Sequence, residues 1–119
     1  MDSKSNSIEK AIRKYRLEVD DAIEAHGFKA TSCIDYAEDV ISELGEHIKT
    51  NFDTDAPDLL FKNLEVSLND TIQNIVDYTK EDAIYRNYLH TEKIDKKVNE
   101  LHSVLTTLNT RFLTSLERI

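Results

Sequence analysis

Apolar side chains recur along this chain at steps of three and four, the rhythm of helices that bury one face. In residues 8–27, Ile8, Ile12, Tyr15, Val19 and Ile23 form one stripe. Lys10, Arg13, Lys14 and Arg16 lie off it, and Ser7 is placed as an N-cap. Residues 32–49 repeat the pattern with Ile34, Ala37, Val40, Ile41, Leu44 and Ile48. Residues 50–57 read as a loop, with Asp55 or Ala56 as the next cap and Pro57 in the first helical turn. A third helix runs through Leu60, Phe61, Leu64, Leu68, Ile72, Ile75, Val76 and Thr79. In the fourth, Ile94, Val98, Leu101, Leu105, Leu108, Phe112, Ser115 and Ile119 alternate steps of four and three, a heptad seam apart from Ser115. Residues 80–92, with Tyr85, Tyr88 and Leu89 among mixed charges, either extend the third helix or form a short connection.

Gly27 divides two readings of the first half. With Thr31 or Ser32 as a new N-cap it ends one helix and starts another. The stripe also continues in phase through Ile23, His26, Ala30, Cys33 and Ala37, which makes one long helix. Glycine inside a helix costs only about 1 kcal/mol against alanine, so it does not forbid this. The first reading predicts an all-α, antiparallel up-down four-helix bundle. The second predicts a long-helix hairpin that dimerises to complete its core. Either way residues 1–119 form a single helical domain, with residues 1–7 expected to be disordered.

Composition narrows the class. The chain has 119 residues, enough to bury a core without staples, and only two glycines and one proline, too few for the turns of a β fold. No apolar run approaches the roughly 20 residues of a membrane helix. The N-terminus lacks an apolar secretory stretch, and the lone Cys33 cannot form an internal disulfide. A cytoplasmic protein is expected, with no membrane partner.

The formal net charge of -8 is unevenly spread. Residues 28–56 hold seven acidic and two basic side chains, whereas residues 91–119 hold four and five. Asp35, Glu38, Asp39, Ser42, Glu43 and Glu46 lie opposite the second apolar stripe. Such a face is either a solvated exterior or a docking surface for a basic protein. The acidity argues against direct nucleic-acid binding, which needs clustered lysine and arginine. Between Glu100 and Glu117 the only full charge is Arg111, among Ser103, Thr106, Thr107, Asn109, Thr110, Thr114 and Ser115. Small uncharged groups suit a helix covered on more than one side, within its own bundle or by another chain, including a copy of itself.

Chemistry-bearing patterns are sparse. None of His26, His47, His90 and His102 has a glutamate three residues before it, and no His-x-x-x-His or Cys-x-x-Cys occurs, so no metal site or cofactor is expected. Cys33 lies on or near the apolar stripe and reads as a buried small hydrophobe. Arg86-Asn-Tyr-Leu-His90 resembles the arginine–histidine motif of HEPN ribonucleases, with a shorter spacing and acidic surroundings. His26-Gly-Phe-Lys29-Ala-Thr-Ser resembles the core of histidine phosphotransfer domains, which are four-helix bundles. That resemblance implies phosphorylation of the His26 imidazole, with Lys29 holding the phosphoryl group and a response regulator docking alongside. Ala30 stands where that family has glycine, and its histidine lies mid-helix.

The expected function is a non-enzymatic helical module that binds another protein, of the kind found among inhibitors, immunity proteins, secretion chaperones and adaptor subunits. Its candidate contacts are Asp35, Glu38, Asp39, Glu43 and Glu46 on the acidic face, and Thr106, Asn109 and Thr110 on the charge-poor helix. Phosphotransfer at His26 and a self-associating coiled-coil subunit are the alternatives.

Overall fold

The computed structural model describes residues 3–52, 57–87 and 91–119, which form four helices. These are α1 (Ser3–Ala25), α2 (Thr31–Asn51), α3 (Pro57–Asn87) and α4 (Thr91–Glu117). α1 packs on α2 and α4, and α3 packs on α2 and α4, so each helix has two neighbours around a shared core. This is the four-helix bundle that the apolar rhythm predicts, elongated to 51 × 25 × 17 Å.

Gly27 ends α1, which excludes the long-helix hairpin. It sits at φ 89°, a left-handed conformation that glycine adopts without steric cost. The Gly27 amide donates to the Glu24 carbonyl at 3.0 Å, and the Phe28 amide to that of Ile23 at 3.1 Å. Those two bonds satisfy carbonyls that the helix end leaves open, and Phe28 folds into the core beside them. α2 then starts at Thr31, so the cap position falls before either expected cap. Ala30 takes the cap position with no side-chain bond, and Ser32 turns its hydroxyl to Asp82 of α3 at 3.3 Å.

Other boundaries also differ from the sequence reading. α1 begins at Ser3, so residues 3–7, expected to be disordered, lie in the helix, and Ser7 is not its cap. Residues 80–87 extend α3. The expected caps Asp55 and Ala56, and Tyr88, Leu89 and His90, lie outside the described residues.

The core is one cluster drawn from all four helices, with Ile23, Ile41, Leu68 and Leu105 among its fully buried side chains. The α4 seam leaves its expected course after Phe112. Leu116 and Asn109 are buried, while Ser115 and Ile119 are exposed. An α-helix with 3.6 residues per turn drifts about 20° per heptad from a strict seam, so a nearly straight helix rotates those two positions outward. Aromatic pairs lock the seams. Tyr15 stacks on Phe112 between α1 and α4 at 4.5 Å, and Tyr36 on Tyr78 between α2 and α3 at 4.4 Å. α1 and α2 approach closely at buried Gly45, where a Cβ would lie 3.0 Å from Ile12 Cγ2.

Candidate functional site

α2 turns its apolar stripe inward, so the intervening carboxylates face solvent. Asp35, Asp39, Glu43 and Glu46 are exposed. Glu46 shares Lys49 with Glu9 of α1, at 3.4 and 2.7 Å. The salt bridge holds the Glu9 carboxyl below its ordinary range. Asp35, Asp39 and Glu43 make no ion pair among the described residues.

Glu38 departs from the expected pattern. It is half-buried and lies against Asp20 of α1. Burial pushes the Asp20 carboxyl up to about 7. Hydrogen bonding to Glu38 and the charges of Glu38 and Asp21 act in the same direction, against Arg16. Oδ1 of Asp20 is buried without a donor, and Glu38 supplies one only when a proton is shared between the two carboxyls. Asp20 thus adds an α1 carboxylate beside Glu38, while Arg13, Arg16 and Lys49 line the same α1–α2 seam with Glu9 and Glu46. Sequence reading assigned the face to α2 alone, because the α1 contribution depends on how the two helices are set against each other.

The charge-poor side of α4 is solvent-facing and is not covered within the bundle. Ser103, Thr106, Thr107, Thr110, Thr114 and Ser115 are exposed, and each hydroxyl donates to the carbonyl four residues earlier, at 2.9 to 3.3 Å. With the hydroxyls bound to their own helix, the threonine methyl groups remain as contact surface. Asn109 does not belong to this surface. It is buried and accepts a hydrogen bond from the Tyr15 hydroxyl, so it holds α4 to α1.

Beside this side of α4 runs a groove of about 290 Å³ against α1. Ala11, Tyr15, Leu108 and Phe112 form its floor, and Lys14, Arg111 and Arg118 are on its rim with one carboxylate, Glu18. Arg111 pairs with Glu18 at 3.5 Å.

His26 and Lys29 do not form the arrangement that the phosphotransfer resemblance implies. Both lie in the connection between α1 and α2, and His26 Nδ1 is held 2.7 Å from the Ala22 carbonyl. Cys33 is buried, and its thiol is pushed up to about 11 by burial and by Asp82, which its Sγ contacts at 3.5 Å. Among the described residues no group of three histidine, cysteine or acidic side chains converges to hold a metal ion, and no helix is long and apolar enough to cross a membrane.

No family model, curated protein or solved structure matches this chain.

Proposed function

We propose that this protein is a binding module whose acidic α1–α2 face takes up a basic segment of another protein. The observation that carries the proposal is the Asp20–Glu38 contact. Two carboxyls are held together by helix packing, with Asp21, Asp35 and Asp39 nearby on the same two helices. Holding like charges together opposes folding, and a cation supplied from outside relieves the repulsion. Complementary charge also speeds and orients docking. The geometry supports contacts by Asp35, Asp39 and Glu43, with Glu38 acting through Asp20.

The test immobilises the protein, applies cell lysate at low salt and elutes with a salt step. Companions with basic surfaces should leave at moderate salt, because exposed charges more than about 8–10 Å apart are screened there. A D39K/E43K column should not retain them, whereas an E65K/D70K column, altered on α3, should. Retention of the same companions on all three columns, or binding indifferent to salt, would remove this face from consideration.

A further inference from the structure

We propose that the α1–α4 groove is a second docking site, for an acidic amphipathic helix of another protein. The groove offers apolar contact, because its lining includes Ala11, Leu108 and the edge of the Tyr15–Phe112 stack, and the neighbouring threonine and serine hydroxyls are bonded to their own backbone. The rim selects charge. Arg111 is engaged by Glu18, whereas Lys14 and Arg118 make no ion pair among the described residues and are available to two carboxylates. This basic rim stands on a chain of net charge -8, so it is a local feature and does not follow from composition.

The lining discriminates among occupants. A small anion such as phosphate finds no free hydroxyl at Thr110, Thr114 or Ser115 to complete its coordination. A nucleic acid needs more phosphate contacts than three rim cations provide. A second copy of this chain does not present that pattern either. Among the described residues its exposed large apolar side chains, such as Leu59 and Val66 of acidic α3, are not spaced three or four apart. The fitting ligand presents apolar residues three and four apart with carboxylates on both flanks, the pattern of a helix laid in a groove.

The probe is a fluorescein-labelled helical peptide with leucines at that spacing and flanking glutamates, compared with a twin in which every glutamate is lysine. Fluorescence anisotropy should show saturable binding of the glutamate peptide to the wild-type protein and at least about tenfold weaker binding of the lysine twin. K14E/R118E should reverse the preference, and K62E on α3 should leave it unchanged, with circular dichroism confirming that each variant is folded. Equal binding of the two peptides, or an unchanged preference in K14E/R118E, overturns the proposal. So does a wild-type dimer in light scattering that K14E/R118E abolishes, since the groove would then belong to a second copy. Because neither substitution touches α2, failure here leaves the acidic-face reading standing.

Discussion

The Tyr15 hydroxyl donates to Oδ1 of Asn109 across the seam between α1 and α4, with both residues buried. Asn109 Nδ2 has no partner among the described residues, so this polar pair is only half satisfied. Asn109→Leu should lower stability by about 1–3 kcal/mol, because it leaves the phenol hydroxyl buried and unpaired. Adding Tyr15→Phe should restore most of the loss, giving a positive coupling in a double-mutant cycle. Urea denaturation of the four proteins measures this, and additive losses would show that the bond contributes nothing.

Asp20 makes stability depend on pH. Its carboxyl rises from 3.8 to about 7 in the folded chain, mainly through burial. The folded state therefore holds a proton that the unfolded state has released. The stabilisation is fully present below about pH 4 and is lost as pH rises through about 7. Asp20→Asn should flatten that slope. At pH 8 it should raise stability by about 1 kcal/mol, a figure reduced for the solvent screening of a half-exposed group, and at pH 4 it should change little. Thermal melts across this range check it, and a gain at pH 4 equal to that at pH 8 would refute the linkage.

Asp82 ties the start of α2 to α3. Its carboxylate accepts from the Ser32 hydroxyl and the Cys33 thiol, and pairs with Arg86 at 2.8 Å, near a helix start that Ala30 cannot cap. Asp82→Ala should lower stability by about 1–2 kcal/mol and speed modification of Cys33 by a thiol reagent at pH 8. In the wild type, burial and the raised thiol should keep that reaction slow. Equal labelling rates would remove Asp82 from this role.

Gly27→Ala should cost about 1–2 kcal/mol, since the new side chain must adopt φ 89° and its Cβ would lie 3.3 Å from Lys97 Nζ. Chemical denaturation tests this, and a stabilised variant would mean that α1 ends differently in solution.

The sequence made the bundle legible because burial follows periodicity, and periodicity is local. Ile8, Tyr15, Val19 and Ile23 are buried as a stripe that any straight helix would form. The end of the α4 seam was misread at Ile119, which is exposed while Leu116 is buried, because strict heptad counting ignores helical drift over several turns. The exposed α2 carboxylates were legible for the same local reason. Asp20, Asp82 and the role of Asn109 were not, because each acts on another helix. Ser32 and Asp82 are 50 positions apart, and Tyr15 and Asn109 are 94 apart. No spacing rule reaches that far. The α1–α4 groove was hidden for the same reason, since Lys14 and Arg118 come together only when the bundle closes.

That closure follows from the order in which the helices pack. Three seams join helices that are consecutive in the chain, and one joins the first to the last. Bringing the most distant segments together carries the largest loop-closure entropy, so the α1–α4 seam is the one whose closure costs the chain most. The antiparallel arrangement also brings the start of α1 and the end of α4 to the same end of the molecule. A circularly permuted chain, with these ends linked and new termini cut in the His26–Ala30 connection, would turn the costliest seam into a hairpin.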